Sequence, residues 1–348
     1  MNSMKVNSKA PLYWFFALAL MLIVANRGDT PDTSVYWYIF KNIESFDIGS
    51  IKKFYTEAGM EIGFGWYSYI LSFIIDSPFI FFFLFSFLNF LFFYLLIRKF
   101  DIKISLLTLL IYSSGPFYFM QQFMQMRQGL SVLLALYASI LLINDSKKIS
   151  FIFFSLLALS MHQVSFVLIL ISVIYYCFSD YFLITRKKLI LFILFFIAFF
   201  VLLFKYFVVD FVMGFSNRLE DYYNSEYNYS VGIFSLPNLK TYTVFLFILI
   251  FSRESMFLSK FFVFMVFLMG MSVASRIGFS DFAILSGRFS TVFGFVEVIL
   301  LPYVLYYLFK NKILVYSLII LVSIIQIYIT LFFQAPYLVE SYFKVLPN

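Results

Sequence analysis

The sequence predicts an all-α, polytopic integral membrane protein with about 11–12 hydrophobic helices, some of them short, broken or re-entrant. Three observations carry this reading. Hydrophobic residues make up 63% of the 348 positions and charged residues 12%, about half the charged share of a soluble globular chain. Apolar segments recur from Leu12 to Phe333 with short polar breaks between them. The segments are continuous runs rather than alternating strands, which excludes a membrane barrel and leaves helices, whose backbone groups are satisfied within one segment.

Taken in order, the first run, 12–25, has no convincing small-residue cleavage site after it and reads as an anchor. Further runs span 62–75, 79–97, 104–120, 130–143, 149–161, 164–178, 189–209, 241–251, 261–275, 289–309 and 313–333. Several are shorter than the ~20 residues of a full crossing. The whole chain, 1–348, reads as a single transmembrane domain with outer loops at 26–61 and 211–240. The 53 Phe and 26 Tyr supply lipid-facing bulk, packing and interfacial belts.

Composition also excludes chemistries. One cysteine, Cys177, allows no intramolecular disulfide and no cysteine metal cage. One histidine, His162, allows no His-rich metal site. No Asp-x-Asp pair and no Gly-rich nucleotide loop is present, so the reading carries no metal and no cofactor. The Lys and Arg excess is topological, and nucleic acid is not an expected partner.

Lys5 and Lys9 precede the first segment. Later clusters are Arg98, Lys99 and Lys103; Lys147 and Lys148; Arg186, Lys187 and Lys188; Arg253 with Lys260; and Lys310 with Lys312. From segment 79–97 onward they fall at every second turn, provided that 149–178 is a hairpin broken near His162. The positive-inside rule places them in the cytoplasm. Parity then asks that 62–75 dip from the outer face without crossing, unless the first segment itself starts outside. On the first reading, Arg27, Arg127, Arg218, Arg276 and Arg288 all reach the outer face, where they do not serve as topology signals.

Arginine at bilayer depth costs roughly 2.5–3.5 kcal/mol, so these guanidiniums call for an anion. Arg127 opens a long apolar segment, where free N–H groups also attract negative charge, and its planar fork suits phosphate oxygens. Asp29 and Glu61 stand at the ends of the first outer loop and His162 at the hairpin break; each is a candidate acid–base group. Tyr36, Trp37, Gln128, Tyr222 and Tyr223 are candidate sugar contacts. An activated donor on the outer face, away from nucleotides, points to an isoprenoid diphosphate: the diphosphate matches the arginines and the tail matches the membrane.

Gly28-Asp29 with Tyr36, Glu61-Ile62-Gly63-Phe64, Arg127-Gln128, then His162, and Arg288 ahead of a late helix, stand in an order and spacing that resembles the Wzy-type polysaccharide polymerases, specifically the EpsG-like branch. The resemblance covers the chain up to about Tyr176 and is looser beyond. It departs at Ser165, which lies further from His162 than the family's usual small residue. It implies a GT-C-like membrane glycosyltransferase architecture in the bacterial inner membrane, with the active site facing the periplasm. It implies undecaprenyl-diphosphate-linked oligosaccharide as both donor and acceptor, membrane lipids as surroundings, and a polysaccharide chain-length regulator as a further candidate partner. Under it, Arg127, Arg288, Arg276, Arg218 and Arg27 face the diphosphate, and His162, Asp29 or Glu61 is the base. Competing classes are a lipid-linked oligosaccharide flippase, an O-antigen ligase and a membrane O-acyltransferase.

Overall fold

The computed structural model describes residues 9–179, 186–208 and 230–346. Every regular element among them is helical. Five helical stretches are long and apolar enough to cross a membrane, or six when one bent pair counts as a span; four shorter apolar helices accompany them. The all-α membrane reading holds.

The chain packs as two compact units. The first comprises Met1–Ile171 with Asn311–Asn348, the second Ser172–Lys310. In the first, helix α1 (Lys9–Ala25) leads to the segment 26–61. That segment, expected as a loop, contains two short helices, α2 (Thr33–Lys41) and α3 (Ile51–Ala58). Helix α3 is amphipathic: Phe54 is fully buried beneath it while Lys52 and Lys53 face outward, the pattern of a helix at a polar–apolar boundary. Helix α4 (Ile62–Ser72) has 11 residues and rises about 16 Å, roughly half the hydrocarbon core.

Helix α5 (Pro78–Asp101) carries Arg98 and Lys99 in its last turn, where cations complement the helix dipole. Asp101 takes an extended conformation and its Oδ1 accepts from Lys103 N at 2.9 Å, turning the chain. Helix α6 (Ser105–Ser114) and helix α7 (Pro116–Phe123) follow. The sequence suggested one run over 104–120. Gly115 is extended and Pro116 begins a new helix, because proline lacks the N–H and disfavours a helical residue before it.

Helix α8 (Met126–Asp145) is the buried centre of this unit, packed on α5, α7 and α9 (Lys148–Met161). Helix α10 (Ser165–Phe178) starts after the three residues 162–164, so the hairpin break near His162 is present. Helix α16 (Lys312–Ile329) returns to pack on α6, and α17 (Tyr337–Tyr342) closes the unit. There Gly28 N donates to Tyr342 O at 2.8 Å and Asp29 N to Lys344 O at 3.1 Å.

The second unit holds α11 (Arg186–Leu203), α12 (Leu236–Phe251), α13 (Lys260–Gly278), α14 (Ala283–Gly294) and α15 (Glu297–Leu308). Two expectations change here. The apolar run 289–309 is a pair of helices, α14 and α15, bent by 41° at a short break. The break expected between the runs 261–275 and 289–309 shrinks to residues 279–282, because Arg276 lies in the last turn of α13 and Arg288 inside α14. Arginine is a good helix former, and the apolar Ala283-Ile284-Leu285 ahead of Arg288 continues the helical pattern.

Candidate functional site

Glu61 occupies the N-cap position of α4, yet its side chain does not cap that helix. It reaches sideways. Its Oε2 is ion-paired to Arg127 Nη1, and its Oε1 accepts the backbone N–H of Gln163 at 3.1 Å. His162 Nδ1 lies 3.8 Å from the same Oε1. One carboxylate therefore ties together the start of α4, the first turn of α8 and the connection between α9 and α10.

Each partner is placed by local chemistry. Met124 and Gln125 depart from helical geometry, so α7 ends and α8 restarts with Arg127 as its second residue. A cation at a helix N-terminus opposes the dipole, and the Glu61 carboxylate offsets that. The Arg127 side chain is 14% exposed and that of Glu61 13%. The guanidinium carbon stands 5.8 Å from the Tyr36 ring centroid and 6.0 Å from that of Phe64, within range of cation–π attraction. Arg127 Nε has no hydrogen-bond partner.

His162 ends α9 in an extended conformation. Its Nδ1 accepts the N–H of Val164 at 3.2 Å, which places the proton of a neutral ring on Nε2. A proton on Nδ1 faces Glu61 instead. Ser165 Oγ donates to the main-chain oxygen of His162 at 2.9 Å, so this serine bonds the backbone and not the imidazole.

Close packing sets these distances. A Cβ on Gly63 would stand 2.5 Å from Ser160 Oγ and 2.6 Å from Ser160 O. The bare glycine lets α4 meet the end of α9, with Gly63 two residues from Glu61 and Ser160 two residues from His162. Gly129 does the same for α8 against α7, where an added Cβ would lie 2.7 Å from Gln121 Cβ.

The other expected residues fall into distinct places. Arg27 is buried, donates through Nη1 to Gln122 O at 2.6 Å and stacks 3.8 Å from the Phe82 ring centroid. Burial lowers its pKa to about 9, so it stays charged at neutral pH. Tyr36 is 2% exposed, packs on Phe64 and donates to Met124 O at 3.0 Å. Trp37 is buried against Phe40, with Lys41 Nζ 5.2 Å from its ring centroid. Gln128 is buried and its Nε2 has no hydrogen-bond partner. The Asp29 carboxylate makes no bond to Arg127, Glu61 or His162. Arg218, Tyr222 and Tyr223 lie outside the described residues.

Arg276 and Arg288 belong to the second unit. Arg276 Nη1 donates to Asn238 Oδ1 at 2.8 Å, and Arg288 is exposed on α14. The same unit holds a pair that sequence reasoning passed over: Lys240 Nζ lies 2.7 Å from the buried Glu297 Oε1. Its sequence signal was an isolated acid between two apolar runs, Glu297 in Phe295-Val296-Glu297-Val298-Ile299; an ionisable residue inside such a run marks a candidate site.

These helices, with the Glu61, Arg127 and His162 cluster at their ends, define a polytopic membrane protein. The family model described as EpsG family matches residues 11–347, and the match runs through the C-terminal half where the motifs were loose. The chain belongs to the EpsG family. Neither the curated proteins nor the solved structures gave a match. Membership supports a polysaccharide-polymerase type of role in a membrane-embedded protein.

Proposed function

We propose that this protein joins undecaprenyl-diphosphate-linked oligosaccharide repeat units on the periplasmic face of the inner membrane. The growing glycan passes from its carrier to the non-reducing end of a new lipid-linked unit. An acceptor hydroxyl oxygen attacks the anomeric carbon. The bond from that carbon to the diphosphate breaks, its electron pair leaves with undecaprenyl diphosphate, and the hydroxyl proton passes to a side-chain base. In this proposal the reaction uses neither nucleotide nor metal.

The observation that supports this reading is the Glu61 carboxylate shared between Arg127 and the His162 turn. Preorganised cations that meet charge developing on a leaving group are usually the largest catalytic term. A diphosphate carries more negative charge than one carboxylate and competes with Glu61 for the guanidinium, whose Nε–H is unused. As Arg127 turns to the diphosphate, Glu61 is released beside His162, and either can take the acceptor proton; Asp29 is the third candidate. Arg218, Arg276 and Arg288 are diphosphate candidates on family resemblance, apart from this cluster. Arg27, bonded to Gln122 O, holds the turn before α8 in place. Gln128, Tyr222 and Tyr223 contact sugar, while the packed rings of Tyr36 and Trp37 support the site from behind. A chain-length regulator is a further partner in this proposal.

The test is a reaction of purified protein in liposomes with a synthetic lipid-linked repeat unit. A ladder of products with release of undecaprenyl diphosphate is expected. Movement of labelled lipid across the bilayer without lengthening would make the protein a flippase. Transfer to a lipid A core alone would make it a ligase.

A further inference from the structure

Between α7 and α8, Met124 (φ −127°, ψ −71°) and Gln125 (φ −94°, ψ 50°) leave helical geometry. The last carbonyls of α7 therefore have no following helical turn to accept from. Side chains of the segment after α1 supply the donors instead. Arg27 Nη1 donates to Gln122 O at 2.6 Å, Thr30 Oγ1 to Phe123 O at 2.9 Å and Tyr36 Oη to Met124 O at 3.0 Å. Three successive carbonyls are thus held by three side chains, and all three side chains are buried. The Thr30 hydroxyl lies 2.6 Å from that of Thr33; with the Thr30 proton on Phe123 O, Thr33 donates to Thr30. On its other side the segment is anchored where Gly28 N and Asp29 N bond Tyr342 O and Lys344 O.

Charge follows the same pattern. No acidic side chain pairs with Arg27 among the described residues. Its buried guanidinium meets the partial negative charge at the end of α7, while Glu61 meets the positive start of α8 through Arg127. Each end of the break is met by a group of opposite sign from elsewhere in the chain.

We infer that Arg27, Thr30 and Tyr36 are positioning residues for Arg127. They fix the three carbonyls before α8, and with them the first turn that carries the guanidinium. Tyr36 contributes twice, since its ring centroid stands 5.8 Å from the Arg127 guanidinium carbon. The inference rests on the proposed function only for what Arg127 then binds.

The test uses full-length protein. Melting temperatures in detergent give the coupling between R127M and E61L, first with the three donors intact and then in T30V and in Y36F, each of which removes a hydroxyl and keeps the side chain's size. Y118F is the control: it removes the bond from Tyr118 of α7 to Leu20 O and leaves the break carbonyls untouched. The coupling is expected to fall toward zero in T30V and Y36F, to persist in Y118F and to return in T30S. R27K, which keeps a cation at the end of α7, retains more of it than R27M. A side chain that only stabilises the fold lowers the melting temperature and leaves the coupling unchanged; that result, or an equal fall in Y118F, overturns the inference. The second arm is binding of radiolabelled undecaprenyl diphosphate in nanodiscs. T30V is expected to weaken it about tenfold, since misplacing a group by ~1 Å costs up to about 10²-fold, and to add nothing in an R127M background. A further loss in that background overturns the positioning role. A coupling that falls while R127M binds as wild type does leaves the positioning role standing and takes the diphosphate away from Arg127.

Discussion

Glu61 Oε2 accepts a hydrogen bond from Arg127 Nη1 across 66 positions of chain, and the other oxygen of that carboxylate takes the N–H of Gln163. A single side chain thereby joins three helix ends. Both partners are mostly shielded from water, where an ion pair is strengthened and an unpaired charge is costly.

Removing one partner and removing both should differ. R127A leaves Glu61 unpaired and is expected to lower stability by about 3 kcal/mol and to abolish polymer. The double substitution R127M with E61L recovers most of that stability and stays inactive. Thermal melts in detergent of wild type, R127M, E61L and the R127M with E61L double variant give the coupling energy, expected at about 1–3 kcal/mol. Recovery of activity with stability would mean that the pair is only structural.

Substitution of His162 by alanine is expected to cut turnover by about 10²–10⁴-fold, the usual range for a general acid–base group. S165A should have little effect, because Ser165 Oγ bonds the main chain and not the ring. Single-turnover rates on a lipid-linked donor and acceptor measure both. Equal losses in the two variants would point to disruption of the turn rather than lost proton transfer.

The crossing of α4 over α9 depends on the missing side chain at position 63. G63A forces a Cβ to within 2.5 Å of Ser160 Oγ and 2.6 Å of its carbonyl oxygen, so backbone must move. The expected cost is about 1–3 kcal/mol, with activity lost because Glu61 shifts relative to His162. G232A meets nothing within 4 Å and should behave as wild type in melting temperature and ladder length.

In the second unit, Glu297 begins α15 at the bend and is 3% exposed. Lys240 is its counter-charge. K240A removes the ion-paired partner of a buried carboxylate and leaves Arg276 as the nearby cation, so it is expected to destabilise the protein by less than the about 3 kcal/mol of a fully stranded charge, whereas K240M with E297L stays close to wild type. A melting curve for each variant settles it. A neutral K240A would mean that Arg276 alone balances Glu297.

The sequence was most legible where physics is local. Long apolar runs named the membrane segments, and the hairpin break at His162 was readable from Ser160-Met161-His162-Gln163 standing in apolar surroundings. Gly115-Pro116 announces a break, but it was absorbed into one run because hydropathy stays high on both sides. The segment 26–61 looked like a loop since α2 and α3 are too short and polar to register as spans. Among site residues, Arg127, Glu61 and His162 were each singled out on local grounds.

By itself, then, the order of residues determined the class of protein and its apolar segments, and singled out Arg127, Glu61 and His162 at their ends, because solvation by lipid acts on each segment separately. Tertiary structure alone decided that Glu61 and not Asp29 meets Arg127, that the Tyr36 and Trp37 rings are packed away, and that Lys240 answers Glu297. An ion pair needs two groups within a few ångströms, and which helix ends come that close depends on glycine-sized contacts such as Gly63 on Ser160, which no local pattern encodes.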